Sequence, residues 1–160
     1  MISKMIILIG LQGAGKSTFY RTHFGETHEL VSKDLLRTSK NRNKNLRQTE
    51  RIEEAFREHH AVVIDNTNVT VQERAALIQL GHAHLVQVIG YYFEAEVKHC
   101  LERNRMREGK KRVPDQAIYI TAARLILPTY TEGFDKLYYV QSGENGSFLV
   151  REWVEEVDLE

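Results

Sequence analysis

One run near the N-terminus has spacing that carries chemistry by itself: Gly10-Leu-Gln-Gly-Ala-Gly15-Lys16-Ser17, a match to G-x-x-x-x-G-K-[ST] without departure. Glycines let the backbone wrap closely enough for several N–H groups to point at one anion. A helix opening directly behind adds the positive end of its dipole. The anion such a cradle suits is a polyphosphate. Gly10, Gly13, Ala14 and Gly15 supply the backbone, and Lys16 reaches the β- and γ-phosphates. The Ser17 hydroxyl ligates Mg²⁺, and the Thr18 hydroxyl lies toward the α-phosphate. An ordinary glycine turn before a helix is the bland alternative; the buried-strand pattern before the run and the helical pattern after it favour the cradle. The loop by itself implies a nucleoside triphosphate such as ATP. It does not imply a reaction, because switches, motors and kinases share it.

Three further groupings narrow the chemistry. Ser32-Lys33-Asp34-Leu-Leu-Arg37 follows a short strand pattern. A carboxylate at Asp34, beyond the carboxyl end of a strand, is placed to take the proton of an attacking hydroxyl. Arg37 shares its helix face and can hold either Asp34 or an acceptor phosphate. The competing reading is an Asp cap with an i, i+3 ion pair. Val62-Val-Ile-Asp65-Asn66-Thr67-Asn68 puts an acid at a strand end, where it orients a Mg²⁺ shell, followed by hydrogen-bonding groups that also suit an Asx turn. Arg103-Asn-Arg105-Met-Arg107, with Glu-Gly-Lys-Lys-Arg behind it, reads as a basic helix end and a mobile lid. Arg103 and Arg107 project together there and Arg105 points elsewhere. Complementing the helix dipole would explain one arginine of the lid but not all of them.

The elements that must position these groups alternate strand and helix. Residues 5–9 form a continuous apolar, β-branched run, as a parallel strand buried on both faces does. Helix is expected over 16–24 and strand over 28–31. A helix is expected to start near Asp34, to break over the polar stretch 38–45 and to resume over 46–60, with Ile52, Ala55 and Phe56 on one face. Strand is expected over 61–64 and 85–93. Thr70-Val-Gln-Glu73 has capping-box spacing, which starts a helix over 71–80. Helix follows over 94–107, with Val97, Cys100 and Leu101 facing the core. Another helix is expected from Pro114 to before Pro128, and a fifth strand over 136–140. Strand and helix stay open for 148–157. This is an α/β chain: a parallel sheet of about five strands, helices on both faces and a lid, in one three-layer domain over 1–160.

Composition agrees. The chain has 160 residues, 42% hydrophobic and 28% charged, which excludes wholesale disorder. A single cysteine, Cys100, excludes an internal disulfide and a Cys-based zinc site. No apolar run approaches bilayer length and no signal peptide is visible, so a cytoplasmic protein without membrane contact is expected. Lys plus Arg and Asp plus Glu are 22 each, yet fourteen of the 22 basic residues lie within 33–51 and 98–112. That polarisation favours an anionic partner. The histidines, Cys100 and the tyrosines of 91–92 and 138–139 read as packing, and the acidic tail over 151–160 as a solubility element.

Together these residues resemble the 5′-hydroxyl polynucleotide kinase domain of bacteriophage and animal end-healing enzymes, over about residues 5–140. The resemblance rests on the phosphate loop, Ser32–Arg37, Val-Ile-Asp-Asn-Thr-Asn at 63–68, Arg-Asn-Arg-Met-Arg at 103–107, Val113-Pro114 and Pro128-Thr-Tyr-Thr-Glu-Gly-Phe134. It implies a P-loop kinase fold using ATP and Mg²⁺ on a nucleic acid with a 5′-OH end. It implies Asp34 as general base, with Arg37, Asn66 and Thr67 gripping the acceptor and Val113 against the terminal nucleoside. Arg107 would act on the transferring phosphoryl beside Lys16, with Arg103 and Arg105 as further nucleotide contacts and Ser17 and Asp65 at the metal. The stretch 38–45 matches no family role, and no D-x-D-G-T phosphatase motif is present. A kinase of a small metabolite alcohol needs the same Lys16, Ser17, Asp34 and lid, but not the basic windows. A non-catalytic nucleotide switch needs only the loop.

Overall fold

The computed structural model describes residues 3–36 and 43–155, without the side chain of Lys110. Arg37 and most of the polar stretch that was expected to break a helix lie outside the described residues. The chain runs β1 (Lys4–Ile9), α1 (Lys16–His23), β2 (Glu29–Val31), a 3-10 turn (Lys33–Leu35), α2 (Lys44–Arg57), β3 (Val62–Asp65) and α3 (Val71–Ala83). It continues with β4 (Gln87–Phe93), α4 (Val97–Arg105), a second 3-10 turn (Gly109–Lys111), α5 (Asp115–Arg124), a third (Tyr130–Glu132), β5 (Lys136–Ser142) and β6 (Phe148–Glu152). The sheet order is β2-β3-β1-β4-β5-β6; the first five strands are parallel and β6 returns antiparallel to β5.

β1 is central, and every residue from Met5 to Ile9 is buried. Its alternating side chains feed two cores. Met5, Ile7 and Ile9 pack with Ile52, Ala55 and Phe56 of α2 and Leu77 and Ile78 of α3. Ile6 and Leu8 pack with Phe19 of α1, Cys100 and Leu101 of α4 and Ile118 of α5. Helices therefore cover both faces, and each buried aliphatic of β1 contributes about 1.5–3 kcal/mol relative to exposure. After β1 the chain crosses to β2 on one side of the sheet; after β3 it crosses to β4 on the other. The carboxyl ends of β1 and β3 thus flank the switch point, where open α/β sheets leave a crevice for ligands.

Two expectations are corrected. Asp34 begins no α-helix: it sits in a single 3-10 turn whose Ser32 hydroxyl accepts from the Asp34 N–H at 3.2 Å, and α2 starts only at Lys44. α4 stops at Arg105, so Arg107 lies beyond the helix that was expected to run to 107. Among the described residues the sheet holds the expected five parallel strands and a sixth, antiparallel one. The sixth, β6, shows mostly exposed side chains, as an edge strand with a wet face does. Its Phe148 turns inward against Phe19, His23 and Phe93.

Candidate active site

The loop after β1 folds as its glycines predict. Gly13 has φ +83°, and a Cβ there would come within 2.8 Å of the Cys100 carbonyl oxygen on α4. Gly15 has φ +100° and caps α1; a Cβ on it would press at 3.2 Å on both the Phe148 ring and the Arg103 guanidinium. Ala14 is buried, and no acidic residue stands in the first turn of α1. The orphan N–H groups of that turn keep their positive end unopposed. Thr18 is exposed and its hydroxyl accepts from Arg21 at 3.3 Å.

Lys16 is the buried cation of the site. Its ammonium donates to the carbonyls of Gly10 (2.9 Å) and Leu11 (2.8 Å). Burial pulls its pKa down to about 8, and the Arg107 guanidinium pushes the same way. The charges of Asp65, Cys100 and Asp34 oppose that shift. Lys16 therefore feels the charges of Asp65, Asp34 and Arg107, which come from three other segments.

The loop after β3 joins these segments. The Ser17 hydroxyl donates to Asp65 Oδ2 at 2.8 Å. A hydroxyl and a carboxylate side by side form the hard oxygen donor set that Mg²⁺ takes, so the two residues fit that ion. The Gly10 N–H donates to the Thr67 carbonyl at 2.9 Å. Asn66 accepts from the Lys33 N–H at 2.9 Å and donates to Gln48 of α2 at 2.6 Å. Its amide is thus engaged inside the chain, holding the turn that carries Asp34. Asn68, at φ +48°, donates to the Leu8 carbonyl at 2.8 Å. The Asp34 carboxylate itself is exposed.

On the lid side, Arg103 donates to the Gly13 carbonyl (3.2 Å) and the Ser142 hydroxyl (3.3 Å), tying α4 to the loop and to β5. Arg107 is half-buried and donates to the Lys111 carbonyl at 3.4 Å; Arg105 is exposed. Val113 is held by a residue that motif reading passed over. The buried Asn104 side chain donates to the Val113 carbonyl (2.7 Å) and accepts from its N–H (3.0 Å), pinning the ends of the lid together. Gln12, also unassigned from sequence, donates to Thr121 of α5 at 3.0 Å and so joins the phosphate loop to the helix behind the lid. A cavity of about 720 Å³ opens beside the loop, lined by Gly13, Glu96, His99, Arg103, Ser142 and Leu149 among others.

The structure therefore brings together Gly10, Gly13, Ala14, Gly15, Lys16, Ser17, Asp34, Asp65, Asn66, Thr67 and Arg107 around the β1–β3 crevice, with Arg103 and Val113 at its lid. The basic windows are less open than their counts imply. Arg47 pairs with Glu50, and Arg51 pairs with Glu29 and Glu54. No helix among the described residues is long and apolar enough to cross a membrane.

Comparison with known proteins bears on the fold and the family. The chain is 26% identical over 135 residues to the bifunctional polynucleotide phosphatase/kinase of Schizosaccharomyces pombe, covering 82% of this chain and 32% of that protein. A fungal RNA kinase superposes with a TM-score of 0.68 at 17% identity, over 91% of this chain and 40% of the other. A gluconokinase of Sinorhizobium meliloti 1021 superposes with a TM-score of 0.61 at 16% identity, over 88% of this chain and 83% of the other. The fold is that of P-loop kinases, and the chain spans about a third of the curated relative's length. The model of the AAA domain family matches residues 5–125, from the first strand through the helix behind the lid, and the chain belongs to that family.

Proposed function

We propose that this domain transfers the γ-phosphoryl group of ATP to the 5′-hydroxyl end of a nucleic acid. The observation that carries the reading is the bond from the Lys33 N–H to Asn66, one residue from the Ser17–Asp65 contact. It anchors the Asp34 turn to the loop that also holds the phosphate cradle. A carboxylate so anchored, within electrostatic reach of Lys16, suits a proton acceptor for an alcohol attacking the terminal phosphorus.

The chain's own groups divide the work. Backbone N–H groups of residues 13–18 and the Lys16 ammonium bind the phosphates, and the cavity beside Gly13 and Arg103 has room for the donor's nucleoside. Asp34 accepts the proton of the attacking hydroxyl, aligning it for in-line displacement. Arg107 offsets charge on the equatorial oxygens as the lid closes and excludes water. Ser17 and Asp65 would hold Mg²⁺, which supplies neutralisation of the β- and γ-oxygens when bound. Arg37 and Thr67 are assigned to the acceptor, and Val113 to its terminal nucleoside. The name of the curated relative favours a polynucleotide acceptor.

A small-alcohol kinase remains the second reading, favoured by the gluconokinase superposition and by the pairing of Arg47 and Arg51. A transfer assay with γ-labelled ATP separates the two. Label on a 5′-OH oligonucleotide, absent from a 5′-phosphorylated one, supports the polynucleotide reading. Label on gluconate-like polyols alone overturns it. Asp34→Asn is expected to keep nucleotide binding within about twofold and to lose at least two orders of magnitude in transfer, the scale of general-base catalysis.

A further inference from the structure

Arg74, on the inner face of α3, is the largest fully buried side chain among the described residues. Its guanidinium holds Glu132 bidentately, Nε to Oε1 at 2.8 Å and Nη2 to Oε2 at 3.2 Å. Its Nη1 donates to the carbonyl of Asn68 at 3.1 Å. Glu132 Oε2 also accepts from the Thr129 N–H at 2.8 Å, closing the capping box of the turn before Gly133. A buried ion pair is weak support for stability, because well-packed apolar side chains replace such pairs at little cost. The pair calls for another reason.

That reason lies at the third contact. Asn68 is held from the opposite side by the Leu8 carbonyl, at the end of β1. Between Asp65 and Asn68 the chain makes the links that join the phosphate loop to the Asp34 turn and to α2. Asp65 meets Ser17, Asn66 meets Lys33 and Gln48, and Thr67 meets Gly10. The left-handed Asn68 is where this loop leaves the site, and Arg74 is what grips it there. The Pro128–Phe134 segment, to which the motif reading gave no task, supplies the other half of the grip through Glu132.

We propose that Arg74 and Glu132 form a positioning pair for the active site. By fixing Asn68 they set the 65–68 loop, and that loop sets the Asp34 turn and the metal-ligating Asp65 against the phosphate cradle. Neither residue touches substrate. The proposal rests on the reading of Ser17, Asp34 and Asp65 as site groups, and extends it to residues 58 positions apart on the far side of the loop.

The test replaces the pair as a unit. Arg74→Met alone leaves a buried carboxylate without its partner and is expected to melt well below wild type. Arg74→Met with Glu132→Met removes both charges and is expected to melt within a few degrees of it. In that folded double variant, kcat for phosphoryl transfer is expected to fall at least tenfold, with KM for ATP within twofold. The Mg²⁺ concentration for half-maximal binding of a fluorescent ATP analogue is expected to rise severalfold. The Gly10 amide, bonded to the Thr67 carbonyl, is expected to exchange faster with deuterium. A double variant with wild-type kcat, wild-type Mg²⁺ requirement and unchanged Gly10 exchange overturns the proposal and leaves the pair a mere packing element. Arg74→Lys, which keeps the charge but not the three-way fork, is read in the same three ways should the double variant not fold. If the wild type labels no acceptor at all, the kinase reading fails by itself. The Mg²⁺ titration and the Gly10 exchange still decide whether Arg74 positions the loop.

Discussion

Raising the pH from 7 to 9 should release nucleotide, and Lys16 sets both direction and size. Its ammonium is buried against two loop carbonyls, and burial holds its pKa at about 8, from an ordinary 10.5. Polyphosphate binds the charged form and pulls the pKa back up. Affinity contributed by Lys16 is therefore fully present below about pH 8 and is lost as the pH rises through that value, until the pKa of the bound state is reached. With a pKa near 8, about nine-tenths of the free protein carries the charge at pH 7 and about one-tenth at pH 9. The dissociation constant should rise about tenfold across that range, or about 1.4 kcal/mol. Fluorescence titration with an ATP analogue in excess Mg²⁺ measures it. Calorimetry in buffers of differing ionisation enthalpy measures the linked proton, with uptake of about half a proton per nucleotide at pH 8. Lys16→Arg places a group there that does not titrate, and its affinity should stay flat. A flat wild-type profile, or an equal slope in Lys16→Arg, would show that the buried ammonium is not what the nucleotide feels.

Two further outcomes concern the scaffold around the cradle. Gly13→Ala puts a Cβ on a φ +83° residue, 2.8 Å from the Cys100 carbonyl. It should cost about 2–4 kcal/mol and lower the melting temperature by roughly 5–15 °C in differential scanning calorimetry. An unchanged melting temperature would mean that α4 does not press on the loop. Asn104→Ala strips the Val113 N–H and carbonyl of their partner, at about 1–3 kcal/mol for each group left buried and unpaired. Limited trypsin digestion should then cut after Lys111 or Arg112 faster than in wild type. Equal cutting rates would show that Asn104 does not close the lid.

How far the sequence discloses the site depends on the range of the interactions that build it. The phosphate loop is legible because each requirement is local: glycine at positive φ, lysine and serine on the first turn, a buried strand before. Thr70 is legible for the same reason, and its hydroxyl accepts from the Glu73 N–H at 3.2 Å as the capping spacing predicts. Asp34 is legible as a residue but not as a conformation. Apolar Leu35 and Leu36 suggest continued helix, while the 3-10 turn that the Ser32 hydroxyl opens ends after three residues at an extended Leu36 and the Lys33 N–H goes to Asn66, 33 positions away. Arg74 and Glu132 are beyond local reading altogether. An arginine three residues after a helix start looks like solvated surface until the far segment that neutralises it is brought alongside. β6 stayed undecided because its burial pattern is that of an edge with one wet face, which carries neither helical nor clean strand periodicity.

The same distinction bears on the charge that first suggested an anionic partner. Counting along the chain puts fourteen basic residues in two windows, but a count does not register what each one faces. In the described part of the first window, Arg47 and Arg51 are spent on Glu50, Glu29 and Glu54, along α2 and across to β2. In the second, Arg103 is turned onto the Gly13 carbonyl and Arg107 stands close enough to depress the Lys16 pKa. On the proposed reading, these two arginines serve the phosphate loop rather than an extended backbone. On the proposed kinase reading, a single terminal nucleotide held by shape and by Asp34 asks for fewer phosphate contacts than a long electrostatic track. Recognition of an end, as opposed to a strand, is what a crevice at one sheet switch point with a lid pinned by Asn104 can supply.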